Sequence, residues 1–187
     1  MNIDKKQKSK MSRLWRIFFQ GLLIMAIIIG VNLWRTRDAS SGTAPPLVAT
    51  TLDGAHFDIN DQHGKPLFVH FWAEWCPICS LEEDNIQSLS GDYEMITVAM
   101  SSGDDEAVRE YMKKNGLSFK VINDESGQIS QEWGVQAVPA TFIIDAAGEI
   151  RFVEMGYSSR LGLILRHSLA DKYAGKQSWQ SSVGSMQ

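Results

Sequence analysis

Read as alternating apolar and polar positions, residues 47–174 divide into short strand-like runs separated by helix-like ones. Thr50–Ile59 carries Asp53-Gly54 between apolar residues, a hairpin signal. Leu67–Trp72 (LFVHFW) follows Lys65-Pro66 as a continuous apolar, aromatic and β-branched run, which predicts a buried strand. From Pro77 to about Leu89, the residues Ile78, Leu81, Ile86 and Leu89 give a partial apolar stripe at helical spacing. Met95–Met100 predicts a second buried strand, and Asp104–Asn115 a charged helix stopped by Asn115-Gly116. A strand over Phe119–Ile122 and a short helix over Gln128–Trp133 follow. Thr141–Asp145 and Ile150–Met155 then form an antiparallel hairpin, and Arg160–Tyr173 a closing amphipathic helix. Strands alternating with helices, then a late hairpin and a last helix, imply an α/β domain with a mixed central sheet covered on both faces.

The pattern changes outside this stretch. Leu14–Trp34 is 21 residues interrupted by Arg16, Gln20 and Asn32, with Trp15 and Trp34 near its ends. A helix of that length spans the roughly 30 Å apolar core of a bilayer. Six Lys/Arg precede Ile17 and two follow Trp34, so the positive-inside rule puts the N-terminus in the cytoplasm. A cleaved signal peptide shares the basic start and apolar run, but no A-x-A site follows and the run is long for its apolar segment. The expected order is a basic cytoplasmic tail (1–13), a transmembrane anchor (14–34), a flexible linker (35–46), the domain (47–174) and a Ser/Gln/Gly-rich flexible tail (175–187).

Charge sharpens that division. The whole chain carries a net charge of -4, yet residues 1–37 hold eight Lys/Arg against one acid, Asp4. The remainder therefore has 10 basic and 21 acidic side chains, a net of -11. So acidic a domain repels phosphate backbones, which makes nucleic acid a poor partner, and none is expected.

The chain has two cysteines, in Cys76-Pro77-Ile78-Cys79, directly after a predicted buried strand and opening a helix. A helix N-terminus stabilises an anion through its unpaired N–H groups and dipole, lowering a thiol pKa from about 8.5 toward neutrality. Pro77 at the first helical position loses no hydrogen bond. Cys76 is thus placed as nucleophile, and Cys79, one turn on, as the thiol that resolves a mixed disulfide. Three other uses of the pair compete: half of a zinc site, a Cu(I) site, and a structural disulfide. Zinc needs two more ligands, and His56, His63, His70 and His167 are scattered without a ligand pattern. The eight methionines form no cluster beside the pair, and so short a disulfide loop stabilises little. No metal and no cofactor is expected. Trp72 reads as core, Trp75 as rim surface shielding the nucleophile, and Glu74 with Glu82-Glu83-Asp84 as solvated faces.

F-W-A-E-W-C-P-I-C (Phe71–Cys79) and G-V-Q-A-V-P-A-T-F-I-I-D (Gly134–Asp145) together resemble the thioredoxin superfamily over Leu47 to about Tyr173. The extra helix and strand between them (Asp104–Ile122) look like the insertion of its TlpA-like branch, and the membrane-anchored ScsD-type (suppressor of copper sensitivity) proteins are similar. The resemblance implies a thioredoxin fold and protein disulfide oxidoreductase activity. It implies a cis Pro139 opposite the disulfide, with the Val138 backbone free to pair with an extended substrate. Trp75, Pro77, Ile78 and Val138 become the expected substrate-contacting set. The implied partners are exported thiol or disulfide proteins and a membrane electron donor of the DsbD/ScsB type. The implied location is the bacterial inner membrane, with the catalytic domain in the periplasm.

Two residues depart from related patterns. His70 stands where cytoplasmic thioredoxins carry a buried Asp that aids proton transfer, so His70 is either a substitute base or a satisfied core histidine. Ala140 stands where thioredoxins dedicated to cytochrome c maturation carry an acid after the proline. Apocytochrome c reduction and membrane-tethered copper binding remain the alternative functions.

Overall fold

The computed structural model describes residues 15, 16, 18–25, 30, 41–62 and 64–184, with side chains to residue 172. Its strands are β1 (Gly42–Thr43), β2 (Val48–Thr50), β3 (His56–Asp58), β4 (Leu67–Trp72), β5 (Met95–Met100), β6 (Val121–Asp124), β7 (Ala140–Ile144) and β8 (Glu149–Met155). Its helices are α1 (Pro77–Ser80), α2 (Glu83–Asp92), α3 (Asp105–Asn115), α4 (Gln128–Glu132) and α5 (Arg160–Gly184), with a 3₁₀ turn at Ile59–Gln62.

Six strands form one sheet in the order β1-β8-β7-β4-β5-β6, parallel across β4-β5-β6 and antiparallel elsewhere. β2 and β3 form the separate hairpin that Asp53-Gly54 predicts. Every residue of β4 is buried, because layers cover both faces of the sheet. Side chains alternate across a strand. Phe68 and Trp72 accordingly join Cys79, Ile86, Leu89 and Leu163 on one side, and Val69 and Phe71 join Ile96, Phe142 and Trp133 on the other. Full burial of each such side chain contributes about 1.5–3 kcal/mol. His70 falls on the face of Phe68 and Trp72, the face that meets Cys79.

Several boundaries differ from the sequence reading. The predicted Pro77–Leu89 helix is two helices, broken at Leu81-Glu82. The third sheet strand is Val121–Asp124, shifted from Phe119–Ile122. The closing helix continues past Tyr173 to Gly184, through the stretch expected to be a flexible tail. An isolated glycine such as Gly175 costs a helix only about 1 kcal/mol, and no proline follows it. Within the expected linker, Gly42–Thr43 pairs with β8, where the free edge of the hairpin offers ladder groups. Among the described residues no helix is long and apolar enough to cross a membrane. Of Leu14–Trp34, residues 15, 16, 18–25 and 30 are helical. The rest of that segment, the basic tail and residues 35–40 of the linker lie outside the described residues.

Candidate active site

β4 ends at Trp72, and the chain turns through Ala73-Glu74-Trp75 into α1. Two hydrogen bonds fix that turn to the loop after β5: the Glu74 N–H donates to Ser102 Oγ at 3.1 Å, and Trp75 Nε1 donates to the Ser101 carbonyl at 3.0 Å. Ser101 has φ +47, a left-handed conformation uncommon outside glycine. The Trp75 ring is thereby held while remaining 58% exposed.

Cys76 is the N-cap of α1, and the Cys79 N–H donates to Cys76 Sγ at 3.2 Å. A cap position normally filled by a side-chain oxygen is filled here by sulfur, which directs a backbone donor at that atom and would stabilise a thiolate on it. Cys76 and Cys79 form a disulfide. Cys76 Sγ lies 3.5 Å from the Val138 carbonyl oxygen, and the Val138–Pro139 peptide bond is cis. Trp75, Pro77 and Ile78 are exposed around the pair, while Cys79 faces inward. The fold therefore gathers Trp75, Cys76, Pro77, Ile78, Cys79, Val138 and Pro139 at the C-terminal end of β4, although the two segments are far apart in sequence.

His70 sits behind this surface, buried on β4. Its Nδ1 is 2.9 Å from Thr141 Oγ1, and its Nε2 is 3.7 Å from Glu82 Oε1. Burial pushes the His70 pKa down to about 3, so the imidazole is neutral at physiological pH. His70 and Cys79 also wall one small cavity of about 10 Å³, with Trp72, Glu83, Ile86 and Phe119.

Sequence reasoning missed Glu82. Expected on a solvated face, it is 1% exposed, and the Ser158 N–H donates to its Oε2 at 2.9 Å. Burial raises its pKa to about 7 against the opposing pull of that N–H. The break between α1 and α2 rotates this carboxyl inward, while Glu83 and Asp84 supply the acids of the new helix's first turn. A signal existed: Cys79, Glu82, Ile86 and Leu89 follow helical 3-4-3 spacing, so Glu82 stands in the phase of the core.

His167 stacks on Phe68 at 4.9 Å beneath the sheet, apart from the cysteines, and His63 lies outside the described residues. Among the described residues no cluster of three or more His, Cys, Asp or Glu is arranged to hold a metal.

A C-x-x-C pair capping a helix beside a cis-proline loop, on a mixed sheet layered by helices, defines a thioredoxin-fold thiol–disulfide oxidoreductase. It is a redox enzyme whose working groups are two thiols. The chain belongs to the Redoxin family, whose model matches residues 39–164. It is 30% identical over 145 residues to the thiol–disulfide oxidoreductase ResA of Geobacillus kaustophilus, covering 72% of this chain and 83% of that one. The structure of StoA from Bacillus subtilis superposes with a TM-score of 0.58 at 26% identity, over 65% of this chain and 96% of that one. A secreted Mycobacterium tuberculosis disulfide oxidoreductase homologous to E. coli DsbE gives 0.57 at 30% identity, over 66% and 95%.

Proposed function

We propose that this chain is a membrane-anchored, periplasmic reductase of protein disulfides. Its reduced Cys76 thiolate attacks a substrate disulfide, forming a mixed disulfide and releasing one substrate thiol. Cys79 then loses its proton, attacks Cys76 Sγ and expels the second substrate thiolate, which takes up a proton. The substrate has gained two electrons and two protons, and the enzyme is left as the Cys76–Cys79 disulfide. An inner-membrane thiol donor of the DsbD/ScsB type restores the dithiol. The observation that carries this reading is the asymmetry of the pair. Cys76 Sγ receives a backbone N–H and lies beside the Val138 carbonyl, among the exposed Trp75, Pro77 and Ile78, whereas Cys79 walls a small buried cavity with His70, whose imidazole in turn approaches Glu82.

Glu82 is the acceptor for the Cys79 proton, because a carboxyl with a pKa near 7 both takes and returns a proton at working pH. Trp75, Pro77, Ile78 and the Val138 backbone contact the substrate, and Pro139 shapes that edge. Reduction is favoured over oxidation because α2 leads straight into β5, without the helical insertion of DsbA-like oxidases. The anchor reading rests on the basic flank of Leu14–Trp34 and on the exposed apolar side chains Trp15, Phe18, Phe19, Leu22, Leu23 and Ile24 of its helical part. The resemblance of the chain to the membrane-anchored ScsD-type proteins makes copper tolerance a candidate physiological setting.

Trapping tests the roles. Cys79→Ser accumulates mixed disulfides with exported proteins on non-reducing gels, and Cys76→Ser forms none and reduces no insulin disulfides. Faster alkylation of Cys79 than of Cys76 in the reduced protein at mildly acidic pH would reverse the assignment.

A further inference from the structure

His70 and Thr141 face each other across β4 and β7 in the antiparallel register, and Glu82 closes the group from the α1–α2 break. All three side chains are buried, and Glu82 Oε1 has no hydrogen-bond partner while lying 3.7 Å from His70 Nε2. We propose that His70 is a positioning residue for the Cys79 proton: a neutral, two-way relay that pairs with Glu82 in either protonation state because Thr141 can pair with either imidazole tautomer. This rests on the role given to Glu82 above and deepens it.

The chemistry follows from the donor inventory. A neutral imidazole has one N–H and one bare nitrogen, and a hydroxyl both donates and accepts. When Glu82 is ionised, the Thr141 hydroxyl donates to Nδ1 and Nε2–H points at the Glu82 carboxylate. When Glu82 holds the Cys79 proton, its O–H donates to Nε2, and Nδ1–H donates to Thr141 Oγ1. The Cys79 proton enters at Nδ1 as the Nε2 proton passes to Glu82, so one proton has left Cys79 Sγ and one has arrived on Glu82, with the imidazole changing tautomer and never resting as a cation. A charged imidazole would be costly in this buried position. The small cavity shared by His70 and Cys79 brings the relay to the resolving sulfur.

Besides His70, the Ser158 N–H ahead of α5 reaches Glu82 Oε2, and the next residue of its own helix, Glu83, lines the small cavity with Cys79 and His70. Glu83 accepts from the Tyr111 hydroxyl of α3 at 2.5 Å. None of these offers an amphoteric partner to Oε1; His70 does.

Stopped-flow reaction of the reduced full-length chain, in detergent, with one equivalent of a nitro-aromatic disulfide separates the steps. A first yellow-thiolate phase reports attack by Cys76 and a second reports resolution by Cys79. The second-phase rate is expected to rise with pH through an inflection near neutrality that Glu82→Gln removes. In Thr141→Val, Nδ1 has no partner, and a bare nitrogen is cheaper to bury than a bare N–H. The imidazole then stays in the Nε2–H form, favours the carboxylate, and moves the inflection down by about one unit. Thr141→Ser restores it. His70→Leu leaves the carboxylate against hydrocarbon and moves it up by a similar amount. If Thr141→Val or His70→Leu reacts at the wild-type first-phase rate yet keeps the wild-type inflection, the relay is wrong. An inflection that survives Glu82→Gln overturns it too. If His70→Leu does not fold, the Thr141→Val and Thr141→Ser pair decides alone. Absence of a second phase in the wild type instead defeats the resolving role of Cys79.

Discussion

Two buried ionisable side chains with opposite displacements leave a signature in stability against pH. Glu82 rises from 4.5 to about 7, so between those values the folded protein holds a proton that the unfolded chain has lost. His70 falls from 6.5 to about 3, so in that window the unfolded chain holds a proton that the folded protein lacks. Because stability rises with pH where the unfolded state binds more protons, the Glu82 contribution falls as pH rises and the His70 contribution falls as pH falls. From pH 4.5 to 6.5 each state carries one proton on the pair, and the two slopes cancel. Urea-denaturation midpoints of the oxidised protein should therefore show no contribution from the pair across that range. Glu82→Gln leaves His70 unopposed, so the variant gains stability with rising pH through the same range, by a total on the order of 3 kcal/mol. Parallel profiles for wild type and Glu82→Gln would show that the two groups are not both buried as described.

The helices around the cysteines show which elements the sequence makes legible. The buried strand Leu67–Trp72, the Asp53-Gly54 hairpin and the charged helix ending at Gly116 follow from local rules: an apolar run, a turn dipeptide, a glycine in the left-handed conformation at φ +67. The C-x-x-C helix start was equally plain. The helix phase is less legible, because a stripe traced only through apolar residues selects Ile78 and Leu81 and passes over Glu82. Leu81 is 71% exposed and Ile78 is also at the surface, whereas Cys79, Glu82, Ile86 and Leu89 point inward. Helical spacing from Cys79 puts Glu82 in the phase of the core, but the partners that meet its carboxyl there, Ser158 and His70, are distant in sequence. The pairing of Gly42–Thr43 with β8 was hidden for the same reason, since two residues carry no strand period. The corrected phase has a measurable consequence. Ile86→Ala should cost about 2–4 kcal/mol in urea denaturation, and Leu81→Ala only about 0.5 kcal/mol or less. Similar losses at the two positions would restore the phase through Leu81.

At the scale of the whole molecule, charge and contact divide the chain at one place. Contacts separate residues 1–37 from residues 38–187, and the same boundary separates the basic segment from the acidic remainder. The second unit contains its own sheet, both core layers and the complete cysteine site, so it is expected to fold by itself. β1 begins at Gly42 and closes the sheet edge, the Thr43 hydroxyl donating to Glu149 Oε1 at 2.7 Å and the Ala44 N–H to the Gly148 carbonyl at 3.0 Å. A chain starting at Ser41 should therefore be soluble, monodisperse and as active in insulin reduction as the full-length protein in detergent. A start at Ala44 should keep the thiol chemistry but lose about 1 kcal/mol, because the Thr43 hydrogen bond and the strand pairing go with the missing residues. Under the proposed topology, full-length protein resists alkaline carbonate extraction from membranes, while the Ser41 form appears in the soluble fraction. Carbonate-extractable full-length protein, alongside an active Ser41 form, would remove the anchor and leave the redox assignment standing. An insoluble or redox-dead Ser41 form would mean that the first unit is required by the domain.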